Sequence, residues 1–190
     1  MTRDEILIAA AQIFSQKGFH ATSMQDIAQA VNLQKASLYH HISSKQEILV
    51  EVLDRALGLL ICNMEEVMEG DSPPDEMLRQ AIRAYVVTIL ENRDLAAVLL
   101  LEHRSLEAEL HTRHVPHRYQ FEQLWRDLLK RGIDAGVFET AEPAMTVRAL
   151  LGAMNWAITW YRPDGPLSPG KIADEFADLF LTGLKRRDGS

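Results

Sequence analysis

Residues 23–45 read SMQDIAQAVNLQKASLYHHISSK. Ser23, with Asp26 three positions later, has the pattern of a capping box, so a short helix opens there and runs to about Ala30. Val31, Asn32 and Leu33 make a three-residue turn, and Asn is one of the few residues besides glycine that tolerates left-handed backbone. A second short helix spans Lys35 to Ile42, and Ser44 caps the next. Ile27, Ala28, Val31, Leu33, Ala36 and Leu38 are spaced to close a small core. Residues 33–45 hold no acid, although the chain carries 27 acidic and 20 basic residues. Gln34, Lys35, Ser37, Tyr39, His40, Ser43 and Lys45 lay amide, hydroxyl, imidazole and amine groups along that stretch.

Upstream, Ile6, Ala9, Ala10, Ile13 and Phe14 recur at helical spacing from Arg3 to Gln16, and Gly18 ends that helix. Downstream, Ile48, Leu49, Val52, Leu53, Ala56 and Leu60 continue the spacing from Ser44 to about Met68, until GDSPPDE at 70–76 breaks it. Further helices are expected at about 75–91, 94–102, 106–113, 116–134, 143–160 and 169–185. Pro116 should bend or divide one long helix, because its ring removes a donor and clashes with the preceding turn. YRPDGPLSPG at 161–170 separates the last two helices, and KRRDGS at 185–190 is expected to fray. With no alternating strand pattern, the fold class is all-α. An N-terminal three-helix helix-turn-helix head is expected over residues 1–46, and a helical ligand-binding and dimerisation body over 47–190.

Residues 1–50 are neutral, with Arg3, Lys17, Lys35 and Lys45 against Asp4, Glu5, Asp26 and Glu47, so the net charge of −7 belongs to the rest of the chain. An acidic body repels a polyanion and confines any nucleic-acid contact to the head. The single Cys62 cannot form an intrachain disulfide, and reads as a small buried residue rather than a redox sensor. MTRDEILIAAAQIF carries charges where a signal peptide needs an uninterrupted apolar core, and no apolar run approaches the roughly 18 residues that span a bilayer. A cytoplasmic protein without membrane contact is expected.

Two short helices joined by a tight turn and preceded by a supporting helix match the helix-turn-helix unit, whose second helix enters the major groove of double-stranded DNA. A face that approaches phosphates cannot present carboxylates, which accounts for the missing acids. The plainer reading, a three-helix core with a solvated polar face, leaves the coincidence of cap, turn and polarity unexplained. Gln34, Lys35 and Ser37 are the base-reading candidates: Gln can pair with adenine, Lys can donate to guanine acceptors, and Ser suits either. Thr22, Ser23, Tyr39, His40 and Lys45 are candidates for backbone phosphates, which fix register without reading sequence.

The stretch AAAQIFSQKGFHATSMQDIAQAVNLQKASLYHHISSKQEIL resembles the N-terminal domain of TetR-family transcriptional regulators, on Gly18, Phe19, Thr22, Ile27, Ala28, Leu38, Tyr39, His41 and Lys45. The resemblance implies an all-helical homodimer whose head binds operator DNA and whose body takes a small-molecule effector, most members repressing transcription until ligand releases them. It places Tyr39, His40 and Lys45 at backbone-contact positions, and Lys35 and Ser37 at base-facing ones. His40 stands where other members often carry an aromatic residue. ALLGAMNWAITWYRPDGPLSPGKIADEFADLFLTGL resembles a branch that senses fatty acyl or other acyl-CoA thioesters, on Asn155, Trp156, Trp160 to Pro163, and Leu167 to Pro169.

In the same region Ala149, Ala153, Trp156, Ala157 and Trp160 recur at helical spacing, as do Ile172, Phe176, Leu179, Phe180 and Gly183. Two such helices per subunit can form a four-helix seam, so Ala153, Trp156, Trp160, Phe176, Leu179 and Phe180 are the dimer-interface candidates. Pocket candidates are Leu99, Leu124 and Leu128 with the polar Glu102, His103, Arg104, Arg118 and Asn155; an Arg suits phosphate or carboxylate. The structural alternative pairs Glu102 with Arg104 or Arg118.

His111, His114 and His117 recur every three residues, with His103 nearby. Along an unbroken helix the outer pair lies about 120° off a shared face, so no metal is expected and the group reads as solvated or helix-end. No cofactor is expected either. GxSxG, HExxH and phosphate-cradling glycine loops do not occur, which argues against an enzyme. Two further readings are an efflux regulator sensing aromatic or cationic compounds through Trp156, Trp160 and Glu102, and a helical protein that only binds another protein.

Overall fold

The computed structural model describes residues 2–185. Among them the chain forms α1 Arg3–Lys17, α2 Met24–Ala30, α3 Lys35–Tyr39, α4 Lys45–Glu69, α5 Pro74–Glu91, α6 Arg93–Ala97, α7 Ala108–Asp134, α8 Pro143–Trp160 and α9 Pro169–Leu184. After α6 the chain passes through a π-helical turn, Val98–Glu102, and a 3-10 turn, His103–Ser105. No helix among the described residues is long and apolar enough to cross a membrane. Of the tail expected to fray, only Lys185 lies within the described residues; it bridges to Phe138.

The helices pack into two compact units. One joins the residues up to Gly58 with Asn92–Arg118; the other joins Leu59–Glu91 with the residues from Tyr119 on. Helices α4 and α7 each run through both.

In the first unit, Thr2 and Glu5 form a capping box at the start of α1, and Gly18 ends it at φ 83°, its N–H donating to the Phe14 carbonyl at 2.9 Å. Ile6, Phe14, Ile27, Leu38, Ile42, Ile48 and Leu49 make the buried core. Asn32 adopts φ 53°, the left-handed conformation expected of the turn. Helix α3 stops at Tyr39 rather than Ile42, because the His40 and His41 N–H groups reach back only three residues, to Ser37 and Leu38, and tighten the last turn. Ala36 is exposed rather than in the core. Helix α7 continues through Pro116 instead of dividing there, with exposed Thr112 four residues back, where water can take the carbonyl bond that proline forgoes.

In the second unit, α5 packs along α9 and against α8. Tyr85 stacks on Phe121 with ring centroids 5.7 Å apart and meets the edge of Trp125 at 5.8 Å. Trp125, Leu128, Leu78 and Ile82 are fully buried around them. Cys62 is exposed, not buried as its residue type suggests.

Candidate nucleic-acid interface and effector-binding body

The base-reading candidates sit on a helix held from beneath by one anchor. Leu38 is fully buried, and the rest of α3 faces outward: Gln34, Lys35, Tyr39 and His40 are exposed, and Ser37 is half-buried. Five residues of helix are held in place by this anchor and by the Asn32 turn, rather than by helical propensity, which is marginal at such length.

The backbone-contact candidates divide by what they already bond. Ser23 caps α2: its Oγ accepts the Asp26 N–H at 3.1 Å, and its own N–H donates to Asp26 Oδ2 at 2.7 Å. Asp26 also pairs with Lys17 at 2.9 Å. The bonds from Ser23, and behind them Lys17, hold the Asp26 carboxyl down at about 2. Thr22 is buried, and its hydroxyl donates to the Gly18 carbonyl at 2.8 Å. Lys45 turns inward: Nζ donates to the Phe19 and Thr22 carbonyls at 2.8 and 2.6 Å and stands 4.3 Å over the Phe19 ring. Burial lowers its pKa, against a smaller opposing effect of Asp26. Two of its three N–H groups therefore clamp the α1–α2 loop. Arg3 does the same for the start of α4, bonding Glu47, Glu51 and the His41 carbonyl. The sequence marks Phe19 only as part of the family pattern and Arg3 only as a helix start, since neither carries a local sign of its partners.

Of the pocket candidates, Leu99, Glu102, His103, Arg104 and Arg118 belong to the first unit, and Leu124, Leu128 and Asn155 to the second. Glu102 pairs with neither arginine; it accepts the Phe19 N–H at 3.2 Å and the Ser105 hydroxyl at 2.9 Å. His103 has its pKa lowered, first by burial, then by the charges of Arg118 and Arg104, so these arginines act on the same neighbourhood. In the second unit Leu128 is fully buried, Leu124 is half-buried, and Asn155 accepts the Tyr85 hydroxyl. Burial pushes the Tyr85 hydroxyl pKa up, so it stays a donor. A cleft of about 410 Å³ in that unit is lined by Asn63, Glu66, Val67, Gln80, Arg83, Ala84, Val87 and Thr88, none of them expected from the sequence.

The dimer-interface candidates lie on α8 and α9, where most are exposed or half-buried. Trp156 is 67% exposed, Trp160 45% and Leu179 66%; Ala153 is also exposed, and Phe176 stacks on Phe180 at 6.1 Å. The histidine group also differs from expectation: His114 is buried, and with His117 it meets Asp54, which lay unnoticed in the apolar run of α4.

Comparison with known proteins accords with this arrangement. Residues 6–52 match the model of bacterial regulatory proteins of the tetR family, and residues 71–184 match that of the tetracyclin repressor-like C-terminal domain. The crystal structure of the TetR family transcriptional regulator PfmR from Thermus thermophilus is 40% identical, with a TM-score of 0.88 over 96% of this chain and all of that one. AibR, solved in complex with isovaleryl coenzyme A and operator DNA, is 26% identical, with a TM-score of 0.86 over 93% of this chain and 96% of that one. The transcriptional repressor KstR2 of Mycobacterium tuberculosis is 27% identical over 97% of this chain and 93% of its own length. The chain belongs to the TetR family, and so is a transcriptional regulator rather than an enzyme.

Proposed function

We propose that this chain is a homodimeric, cytoplasmic repressor that leaves its operator when an acyl-CoA thioester binds. The observation that carries the DNA reading is the acid-free α3, presented by the Asn32 turn with Lys35, Tyr39 and His40 exposed. Residues 1–46 act as the DNA-binding head and 47–190 as the effector-binding and dimerisation body. Gln34, Lys35 and Ser37 face base edges; Tyr39 and His40 take phosphates directly. Ser23, Thr22 and Lys45 shape the loop that lies against the backbone, with the third N–H of Lys45 left for a phosphate.

Support for the effector class comes from AibR and from the positive charge that Arg104 and Arg118 place around His103, which suits the phosphates of a CoA group. The exposure of the large apolar Trp156, Trp160 and Leu179 supports the dimer, which presents two copies of α3 to a pseudo-palindromic site. Effector binding needs only about 1–3 kcal/mol of preference for the non-binding geometry to weaken operator affinity about 5- to 150-fold.

The test is binding of the purified protein to DNA upstream of its own coding region, at fixed salt, with and without a panel of CoA thioesters and of hydrophobic cations. Specific binding released by one thioester is the expected result. Release by the cations alone replaces the effector class with that of an efflux regulator, and specific binding that neither panel disturbs removes the acyl-CoA assignment.

A further inference from the structure

Asp54 on α4 and His114 and His117 on α7 lie in the first packing unit and turn their side-chain donors to one point. Asp54 Oδ1 stands 2.8 Å from His114 Nδ1 and 3.0 Å from His117 Nδ1. The ligand atoms of the three residues lie within 4.8 Å of one another. The two histidines share a face because α7 runs unbroken through Pro116 and places them three residues apart. Pairing His114 with His117, rather than His111 with His117, removes the angular objection to a metal that the outer pair raises.

We propose that Asp54, His114 and His117 bind a divalent transition-metal ion of the zinc class. Two imidazole nitrogens and a carboxylate oxygen are a donor set that such ions take with three protein ligands, leaving a fourth position for water. Ligands about 2.0–2.1 Å from a tetrahedral ion stand roughly 3.4 Å apart, so Asp54 Oδ1, at 2.8 and 3.0 Å from the two Nδ1 atoms, needs to draw back from each by about half an ångström to admit it. His114 is buried and positions one ligand firmly; the His117 side chain is 49% exposed, which gives an ion a way in. His114 Nε2 is buried without a partner, so the ring is fixed by packing and by what its Nδ1 meets. The ion ties α4 to α7 within that unit.

The test uses the full chain, stripped with a chelator and titrated with zinc sulfate in competition with a chromophoric chelator, and separately with cobalt chloride. One ion per chain at micromolar affinity or tighter is expected, with the visible absorption of four-coordinate cobalt. His117→Gln, at a half-exposed position that leaves the core untouched, and Asp54→Asn should each weaken binding at least tenfold. His111→Gln, on the exposed neighbour, should change nothing. Absence of a stoichiometric ion overturns the site. So does zinc affinity that is the same in His117→Gln and Asp54→Asn as in the parent, which would place the binding on other exposed histidines. DNA binding is not the readout, so failure here and failure of the operator assignment are separate results.

Discussion

The Glu102 carboxylate accepts the Phe19 backbone N–H at 3.2 Å, joining the end of the π-turn to the loop between α1 and α2. Its second oxygen takes the Ser105 hydroxyl, and Gln46 Nε2 donates to the Ser105 carbonyl at 2.9 Å. Glu102→Ala leaves the part-buried Phe19 amide without an acceptor and should cost about 1 kcal/mol, the low end for an unpaired donor. Glu102→Gln keeps an acceptor oxygen and should lose less than half of that. Urea unfolding of the two variants decides it: equal losses mean the Phe19 bond is not what Glu102 supplies.

Asp26 gives the head an acid limit. Its carboxyl is held at about 2, from an ordinary 3.8, by the Ser23 N–H, then Lys17 and the Ser23 hydroxyl. A depressed folded pKa means a contribution present above the unfolded value and lost as pH falls from about 4 to about 2. Thermal midpoints should therefore decline through that window in the parent, and Asp26→Asn should show a lower midpoint at neutral pH with a shallower decline below pH 4. Parallel acid limbs in the two proteins would remove Asp26 as the cause.

Much of the head was legible in the sequence because its determinants are local. The Ser23–Asp26 cap, the Asn32 turn and the apolar spacing of α2 and α3 are set by residues within a few positions of one another. Pro116 misled for a related reason: proline excludes a hydrogen bond but not a helix, and an exposed carbonyl four residues back has water to turn to. Cys62 misled because a residue type that is usually buried lies on the exposed side of α4. Asp54 went unread because its partners are about sixty residues away, and an acid beside Val52, Leu53, Ala56 and Leu57 is the only local sign that something meets it. The Glu102 carboxylate was paired with arginines on charge alone, whereas the fold offers it a backbone amide and a hydroxyl.

Lys35 and Lys45 should behave differently although both are cations of the head. Lys35 is exposed at the start of α3, so Lys35→Ala should leave the thermal midpoint unchanged while relaxing discrimination at one base pair by about 1–3 kcal/mol. Lys45 clamps the Phe19 and Thr22 carbonyls, so Lys45→Ala should lower the midpoint and weaken all DNA sequences alike. Its effect on the salt slope should be a fall of about one unit if the third N–H reaches a phosphate. Anisotropy titrations on operator and scrambled DNA at several salt concentrations separate the two; a sequence-selective loss in Lys45→Ala would overturn its assignment.

Trp156 and Leu179 are each about two-thirds exposed, at 67% and 66%. Desolvated aromatic anchors dominate the energetics of interfaces, so Trp156→Asp or Leu179→Asp should raise the dimer dissociation constant at least a hundredfold, by about 2.7 kcal/mol or more. Sedimentation equilibrium gives the constant directly. Constants unchanged in both variants would move the interface elsewhere, and a parent protein that is monomeric at micromolar concentration would abolish it.

Gly132 is present in α7 because a ring occupies the space of its side chain. A Cβ built there would stand 2.0 Å from Phe138 Cδ2 and 2.3 Å from Cε2, closer than any real contact. The ring cannot withdraw cheaply: Phe138 is buried, its N–H bonds the Gly132 carbonyl at 3.1 Å, and the next N–H, of Glu139, bonds the Leu184 carbonyl at 2.9 Å. Gly132→Ala should therefore cost about 1–3 kcal/mol through overpacking, despite the roughly 1 kcal/mol that alanine gains over glycine in a helix. Phe138→Ala alone should cost about 3–5 kcal/mol for the cavity. In the Phe138→Ala background the clash is gone, and Gly132→Ala should become neutral or stabilising, a change of sign that only a direct contact produces. Chemical denaturation of the four proteins closes the cycle, and an equal cost for Gly132→Ala in both backgrounds would show that the ring is not what excludes the methyl group.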